Sequence, residues 1–299
     1  MNKIPKAKYA LIGGSGTWGM RFPEDLHRDD VKLLEVYKDG FETPYGRSTM
    51  FKLIEIAGEP VLRVAMHGRN YRQEGIPLNP QWVCAHQVGW ILNEAGVEFA
   101  MVESSVGGIQ SPDEPGKPLP PWSVVITDDT VMLWNTPALT PSLGPKGRNS
   151  RIGEPFCSYM QEILYKRAKE EPRFPEVYNH GVYITTPWGR FETAAEVKMF
   201  AQMGIHVAGQ TLSHETVVMR KLGIHLGSLS IVSNYAEGIT NDWSGDDASG
   251  MTSFYYDCAP YVANVMVNAM KDVIIKNPVG CKCHDFFIEG HGAFPVEGA

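Results

Sequence analysis

The alternation of short apolar runs with segments of helical periodicity most strongly restricts the fold of this 299-residue chain. The runs are rich in β-branched residues and end at or near Gly, Ser or Pro, as buried strands do. They cover residues 9–12, 51–56, 61–65, 99–102, 124–126, 182–185, 206–208 and 229–232. Helical periodicity covers residues 82–95, 155–169, 194–203, 214–222 and 259–275. This alternation predicts α/β architecture: one domain over residues 1–299, with a central, mixed but largely parallel twisted sheet flanked by helices.

Composition and charge exclude several classes of partner. The net charge is −7 and no long basic block is present, so neither nucleic acid nor an anionic membrane is expected as a partner. No apolar run reaches the roughly 18 residues of a membrane span. The apolar stretch behind the basic N-terminus is too short for the core of a signal peptide. We therefore expect a cytoplasmic protein.

The cysteines do not predict a secreted disulfide framework, because their number is odd and three of them are spread singly along the chain. They are Cys84, Cys157, Cys258, Cys281 and Cys283. Cys281 and Cys283, with His284 and His291 nearby, offer part of a metal site. A structural zinc ion takes four ligands, commonly from two paired clusters, and the sequence shows no second pair. We therefore expect no metal and interpret these residues as ordinary thiols, ahead of a redox-linked pair.

Two motifs supply the groups that recognise a purine base. Residues 181–193 place the aromatic ring of Phe191 next to the carboxylate of Glu192. Residues 233–238 place the amide of Asn234 at the end of an apolar run. A purine offers a π-face for stacking and a polar edge for hydrogen bonds, and these side chains match both. The alternative is that Asn234 only caps the end of a strand.

A glycine loop, Gly13-Gly-Ser-Gly16, follows the first apolar run. Successive backbone N–H groups there would converge on an anion, with the Ser15 hydroxyl beside them, or the loop is simply a tight turn. The same stretch fits the dinucleotide fingerprint Gly14-x-Gly16-x-x-Gly19, which predicts a dinucleotide-dependent oxidoreductase. Pro23 falls where the phosphate-binding helix of that motif should run, so the oxidoreductase is kept only as an alternative.

The ordered set of motifs resembles the trimeric purine nucleoside phosphorylase and methylthioadenosine phosphorylase family. The motifs are Gly-Gly-Ser-Gly (13–16), Gly-Arg…Glu-Gly (68–75), Gly-Gly-Ile (107–109), Gly-Val-Tyr…Arg-Phe-Glu-Thr (181–193), Gly-Gln-Thr (209–211) and Asn-Tyr…Gly (234–238). The resemblance covers residues 9–275 and leaves the C-terminal tail, residues 276–299, without a role. It implies a homotrimer that cleaves a purine nucleoside, with phosphate as co-substrate and no cofactor.

The same resemblance, transferred position by position, implies three groups of site residues. Asn234 and Glu192 are the catalytic pair. The phosphate-binding residues are Ser15, His67, Arg69, Ser105 and Thr211. The base- and ribose-binding residues are Phe191, Ser104, Gln210 and Glu215. Taken without the resemblance, Arg69 would be interpreted as a salt-bridge partner and Glu215 as an ordinary helix carboxylate.

The chemistry of Asn234 and Glu192 favours a 6-oxopurine. Adenine-selective relatives carry an Asp at the position of Asn234, and a carboxylate only accepts hydrogen bonds. An amide donates to O6 and accepts from N7–H as negative charge builds on the ring. Glu192 accepts from N1–H, which hypoxanthine and guanine carry and adenine lacks.

Several residues depart from the family pattern, mostly on the side of the nucleophile. Met66 replaces an Arg, Tyr71 replaces a His, Gln210 replaces a Met, and Pro187-Trp-Gly189 replaces a Gln-Gly-Pro type of sequence. A weakened anion site leaves three alternatives: a phosphorylase with altered phosphate affinity, a nucleoside hydrolase or specialised glycosyl transferase, or a nucleoside-binding protein without turnover. A hydrolase needs a base to activate water, for which His67 and Asp128 are the candidates. The sugar and its 5′ substituent stay open.

Overall fold

Strands and helices alternate along the chain in the computed structural model, which describes residues 3–66, 72–73, 76–77, 79–134, 149–240, 248–278, 280–285 and 287–288. Only the backbone is described for residues 72–73, 76–77, 84–85, 149–150, 248–249 and 287–288. His67, Arg69 and Tyr71, three residues that the sequence analysis singles out, lie outside the described residues.

The strands are, in chain order, β1 (Tyr9–Gly13), β2 (Val31–Tyr37), β3 (Glu42–Thr43), β4 (Gly46–Arg47), β5 (Phe51–Ile56), β6 (Glu59–Ala65), β7 (Arg72–Gln73), β8 (Ile76–Pro77), β9 (Phe99–Gly108), β10 (Val124–Val125), β11 (Asp129–Met132), β12 (Asn149–Ser150), β13 (Val177–Tyr178), β14 (Val182–Thr185), β15 (Val207–Gly209), β16 (His225–Tyr235) and β17 (Phe287–Ile288). The helices are α1 (Pro80–Val83), continued by a π-helical segment (Cys84–Val88) into α2 (Gly89–Ala95), then α3 (Ser158–Lys169), α4 (Ala194–Gln202), α5 (Leu212–Leu222) and α6 (Ala248–Lys276).

The main sheet is mixed and largely parallel, as the sequence predicts. Its strand order in the described part of the chain is β11-β14-β15-β9-β1-β6-β5-β2, and β16 pairs with β9 on the other side and with β10. β1 is parallel to both β6 and β9, and β9 is parallel to β16 along almost its whole length. β2, β5 and β6 pair antiparallel. Every predicted run overlaps a strand of this sheet.

Helices cover both faces of the sheet, each over its own cluster of buried apolar side chains. One cluster contains Ile91 of α2 and Val218 of α5. The other contains Leu164 of α3 and Val262 of α6. A sheet with two apolar faces needs such cover on both sides, so the predicted α/β class is confirmed.

Helix ends follow the sequence signals except at α6. Gly96 and Gly223 adopt the left-handed conformation, with φ of 80° and 76°, and end α2 and α5 as C-caps. The prediction that the last helix begins at Ala259 is wrong: α6 begins at Ala248 and contains Pro260 in its interior. Pro260 removes a donor to the carbonyl of Tyr256, whose residue is 63% exposed, so solvent can hydrogen-bond that carbonyl instead.

The glycine loop does not belong to a dinucleotide-binding unit. After β1 the chain forms a short 3₁₀ turn (Ser15–Thr17), a second one (Glu24–Leu26) and then β2, which pairs antiparallel with β5. The fingerprint requires a helix that begins at the glycines and leads to a parallel strand. That βαβ context is absent between residues 9 and 56, where every residue is described, so the oxidoreductase alternative loses its basis.

Within the described residues, none of the helices has both the length and the apolar character of a membrane span.

Candidate active site

A cavity of about 350 Å³ lies where β1, β14, β15 and β16 end, beside the second half of β9. In open α/β sheets the carboxyl ends of strands are where ligands bind, because the loops that follow them converge there. Eight of the predicted site residues line the cavity: Ser15, Ser104, Ser105, Phe191, Glu192, Gln210, Thr211 and Asn234. The structure therefore brings together motifs that lie more than two hundred residues apart in the sequence.

Two predicted positions do not line the cavity. Glu215 is only 1% exposed on α5 and lies behind the cavity lining, which does not fit the predicted direct contact with ribose. Asp128, the candidate base for a hydrolase, accepts a hydrogen bond from the Gly181 backbone N–H at 2.8 Å and lines a different cavity. Asp128 therefore joins the start of β11 to the start of β14. It lies outside the cavity, so it is not placed to activate water there.

Asn234 points into the cavity because β16 contains a bulge. The pairing of β16 with β9 shifts register between Val232 and Asn234, which leaves Ser233 as the extra residue. The Ser233 hydroxyl donates to Asn234 Oδ1 at 2.7 Å, and Asn234 Nδ2 donates to the Tyr235 carbonyl at 2.8 Å. An amide has two N–H donors and two acceptor lone pairs, so one of each stays available. These bonds also fix which end of the amide is oxygen.

Glu192 is held by a threonine on the preceding turn. The Thr186 hydroxyl donates to Glu192 Oε1 at 2.5 Å. Immediately after Glu192, Thr193 caps α4: its side chain accepts from the Glu196 N–H, and the Glu196 carboxylate accepts from the Thr193 N–H. Glu192 is thus fixed between a hydrogen bond and a helix start, with Oε2 left to face a ligand.

Gln210 stabilises the loop that carries Phe191 and Glu192. Its Nε2 donates to the Arg190 carbonyl at 2.8 Å and to the Pro187 carbonyl at 3.2 Å. A Met at this position could not donate these hydrogen bonds. The two differences from the family pattern, at Gln210 and at residues 187–189, are therefore linked by a direct contact. Gln210 therefore positions this loop, and its contact with base or ribose stays a prediction.

Two aromatic rings on the same loop are exposed beside the cavity. Phe191 is 51% exposed and Trp188 is 41% exposed, although both belong to residue types that normally bury most of their surface. Aromatic rings bind flat π-systems through stacking and edge contacts. The loop therefore offers apolar faces next to the polar groups of Glu192 and Asn234.

Hydroxyl groups and a helix N-terminus also line the cavity. Ser105 Oγ donates to the Tyr255 hydroxyl at 3.3 Å, and Ser15 lies in the same group. Thr211 precedes α5 and makes no side-chain capping bond, so its hydroxyl is not used by the helix. Hydroxyl donors at the start of an eleven-residue helix are suited to an anion, which the positive end of the helix dipole also favours.

A buried chain of charged groups supports the glycine loop. Arg63 Nη2 donates to Thr17 Oγ1 at 2.7 Å, and that hydroxyl donates to Glu103 Oε1 at 2.7 Å. Gly16 lies against the same carboxylate: a Cβ there would be 2.4 Å from Glu103 Oε2. Burial raises the pKa of Glu103, whereas Thr17 and Arg63 oppose that rise. A side chain at position 16 would therefore displace the buried Glu103 carboxylate.

Glu215 is a second buried carboxyl group next to this chain. Burial, reinforced by the negative charge of Glu103, raises the pKa of Glu215 to about 8. Its Oε2 has no hydrogen-bond partner among the described residues. At neutral pH Glu215 is therefore largely protonated, and one of the two neighbouring carboxyl groups carries no charge.

Glu215→Gln is expected to flatten the pH dependence of stability. The folded state of the wild type holds a proton on Glu215 between about pH 5 and pH 8, where the unfolded chain has lost it. The free energy of unfolding should then fall as the pH rises through this window, by up to about 1.4 kcal/mol per pH unit. Urea unfolding of both proteins at pH 5.5, 7 and 8.5 measures the difference. Parallel stability curves for the two proteins would contradict the assignment.

Several lining residues were not predicted from the sequence. Trp18, Tyr183, Met251 and Tyr255 line the cavity, as does Glu103. Met251 and Tyr255 belong to the first turns of α6, which the sequence analysis placed outside the helix. Tyr183 stands within the quoted 181–193 motif, and its hydroxyl accepts from the Thr211 N–H at 3.3 Å. Its position in that motif was the one signal that could have identified it.

Comparisons with known proteins agree with this geometry. The family model described as the phosphorylase superfamily matches residues 8–264. S-methyl-5′-thioadenosine phosphorylase of Thermococcus kodakarensis is 31% identical over 229 residues, which cover 76% of this chain and 79% of that protein. A probable 6-oxopurine nucleoside phosphorylase of Dictyoglomus turgidum is also 31% identical, over 235 residues that cover 78% of this chain and 80% of that protein.

Solved structures show the same fold. Methylthioadenosine phosphorylase from Schistosoma mansoni in complex with adenine superposes with a TM-score of 0.72 at 18% identity, covering 91% of this chain and 92% of that one. The curated relatives include two base specificities at the same identity of 31%. Overall similarity therefore does not separate the two specificities, and the separation depends on the residues in the cavity.

Proposed function

This chain belongs to the phosphorylase superfamily, and we propose that it cleaves the N-glycosidic bond of a 6-oxopurine nucleoside with phosphate as the nucleophile. Its named relatives, methylthioadenosine and 6-oxopurine nucleoside phosphorylases, are pentosyltransferases. The observation that carries the base specificity is the convergence of the Asn234 amide and the Glu192 carboxylate on one cavity.

The base is held along its polar edge. The remaining Asn234 N–H donates to O6, and the remaining lone pair on Oδ1 accepts from N7–H. Glu192 Oε2 accepts from N1–H. Negative charge builds on the purine as the bond to C1′ breaks, and a donor at O6 stabilises that charge more in the transition state than in the ground state.

Phosphate is bound by hydroxyl groups of the cavity. Ser15, Ser105 and Thr211 line it, and Thr211 lies at the start of α5. The family resemblance adds His67 and Arg69, which lie outside the described residues. Holding phosphate in line with the glycosidic bond converts a bimolecular attack into a reaction within one complex, which lowers the entropic part of the barrier.

Hydrolysis is the second candidate function, and the buried position of Met66 is the observation that supports it. Met66 is 1% exposed and belongs to a core cluster, so position 66 contributes an apolar side chain to the core and no charge to an anion. Arg63, three residues earlier, is a buried cation behind the glycine loop, but Thr17 and Glu103 lie beside it. A site with less positive charge stabilises bound phosphate less well, whereas water is neutral and does not need that charge.

Release of free base separates these candidates. Inosine, guanosine, adenosine and methylthioadenosine are each incubated with the protein, with and without phosphate, and the free base is measured by chromatography. We expect release from inosine and guanosine, and only with phosphate. Release without phosphate would establish the hydrolase, and binding of inosine without release under either condition would establish a binding protein. Preference for methylthioadenosine would overturn the base assignment.

Other properties stay predictions from sequence and resemblance: the homotrimer, the cytoplasmic location, and a reaction that needs no cofactor beyond phosphate as co-substrate.

A further inference from the structure

Three cysteines and a histidine meet at the end of β16 that lies away from the cavity. Cys157, His225, Cys281 and Cys283 each offer a ligand atom, and these four atoms all lie within 4.8 Å of one another. His225 begins β16, and Asn234 follows nine residues later in the same strand. At about 3.3 Å per residue the two sites are roughly 30 Å apart. The cluster is therefore separate from the candidate active site.

Regular backbone structure holds two of the four residues in place. Cys157 is the N-cap residue of α3, and its backbone N–H donates to the Leu226 carbonyl at 2.8 Å. The His225 ring stacks on Phe99 with centroids 4.7 Å apart, which fixes the plane of the imidazole. Cys281 and Cys283 come from the tail after α6 and complete the group, with Cys281 Sγ 3.1 Å from His225 Nδ1.

We propose that Cys157, His225, Cys281 and Cys283 bind a structural zinc ion. Three thiolates and one imidazole are a common ligand set of closed, tetrahedral zinc sites. Zn–S bonds near 2.3 Å and Zn–N bonds near 2.0 Å in a tetrahedron separate the ligand atoms by roughly 3.5–3.8 Å. The observed cluster needs only small side-chain movements to reach that spacing. Binding converts the three thiols to thiolates and releases their protons to solvent.

A second histidine is placed to orient the imidazole ligand. His284 Nε2 lies 3.2 Å from His225 Nε2. With Nδ1 on the metal, His225 carries its proton on Nε2 and donates it to His284. Metal-bound histidines generally donate their other ring N–H to an acceptor in this way, which fixes the tautomer and the ring orientation.

The charge around the cluster is also appropriate. One Zn²⁺ with three thiolates leaves one net negative charge. Arg220 is 2% exposed, and it donates to the carbonyls of Pro155, Glu154 and Cys283. Among the described residues it forms no ion pair with a carboxylate. A buried guanidinium needs a counter-charge, and the anionic zinc site next to it supplies one.

The zinc site gives the C-terminal tail a structural role. The sequence argument against a metal depended on a missing second pair of ligands, and the fold supplies that pair from Cys157 and His225. A zinc ion would join the start of α3, the start of β16 and the tail. Just beyond it, β17 of the tail pairs with β12, eight residues before Cys157 along the chain. The tail is then anchored at two neighbouring places.

Metal analysis of the full-length protein, purified without an affinity tag that binds metal, tests the proposal. We expect one zinc per chain by mass spectrometry. After chelation and reduction, added Co²⁺ should give the visible bands of a tetrahedral site and a thiolate-to-cobalt charge-transfer band. Reduced protein that takes up neither metal, or a disulfide between any two of Cys157, Cys281 and Cys283 in freshly prepared protein, would overturn the proposal.

Variants separate specific binding from adventitious binding. Cys281→Ser should lose the zinc, whereas Cys258→Ser, a matched change at a buried cysteine outside the cluster, should retain one per chain. His284→Ala should weaken zinc affinity by about 10- to 100-fold, as the loss of a partner behind a ligand does. Equal zinc content in Cys281→Ser and Cys258→Ser would overturn the assignment. Poor folding of one variant does not leave the proposal untested, because the cobalt spectrum of the wild-type protein is measured independently.

Discussion

Asn234→Asp is expected to reverse the base preference, from inosine towards adenosine. Ser233 and Tyr235 already use one acceptor and one donor of the Asn234 amide. In the proposed binding mode, the substitution keeps the acceptor for N7–H but removes the donor to O6. Leaving a buried O6 unpaired costs about 1–3 kcal/mol, which corresponds to a fall of about 5- to 150-fold in kcat/KM for inosine. The exocyclic amine of adenosine gains an acceptor by the same change.

Steady-state kinetics with inosine and adenosine at saturating phosphate measure this reversal. Asn264→Asp is the matched control, because Asn264 lies on α6 away from the cavity and accepts a hydrogen bond from Arg28 at 3.0 Å. Its preference should equal that of the wild type. An equal loss on both nucleosides in Asn234→Asp would show that Asn234 only supports the bulge in β16, and would contradict its role at the base edge.

The sheet and most helix ends were predictable because their signals are local. Buried parallel strands are continuous apolar runs, and helices that end at Gly96 and Gly223 show their C-caps in the sequence. β2 was missed because most of its residues face solvent, Leu33 and Leu34 among them, so no apolar run marks it. The start of α6 was missed because proline is usually found in the first turn of a helix. Pro260 instead lies well inside α6.

Part of the cavity lining was predictable because it comes from two short motifs. Phe191 and Glu192 are neighbours on one loop, and Asn234 lies near the end of β16. The bulge at Ser233 was not predictable because it depends on strand pairing. The bond from Thr186 to Glu192 was not predictable because it depends on how the loop between them folds. The spacing of Cys281 and Cys283 was visible in the sequence, but Cys157 and His225, the other members of the proposed zinc site, were not identified. Each lies more than fifty residues from the tail and meets it only through the fold.

Glu192→Gln is expected to impair inosine and guanosine cleavage and to favour adenosine. Thr186 donates to Oε1 at 2.5 Å, so the glutamine should keep its oxygen towards Thr186 and turn its NH₂ group towards the base. That NH₂ group faces N1–H of a 6-oxopurine, which is donor against donor, but it matches the N1 acceptor of adenine. Loss of a hydrogen bond to a charged group costs about 1.5–3 kcal/mol, so kcat/KM for inosine should fall by about 10- to 150-fold.

Glu176→Gln is the matched control for this substitution. Glu176 also accepts a hydrogen bond from a hydroxyl group, that of Tyr178 at 2.9 Å, and it does not line the cavity. Its kinetics should match those of the wild type on every nucleoside. A Glu192→Gln variant that loses activity on adenosine as well would mean that Glu192 holds the loop, not the base.

The double variant Asn234→Asp/Glu192→Gln tests whether the two residues recognise one base edge. Each single change alters a different hydrogen bond to the same purine, so their effects on the ratio of adenosine to inosine kcat/KM should both favour adenosine and combine in the double variant. Because the two side chains contact one ligand, we expect a coupling of about 0.5–3 kcal/mol between them. Strict additivity would place Asn234 and Glu192 on separate parts of the substrate, since residues without a shared partner act independently.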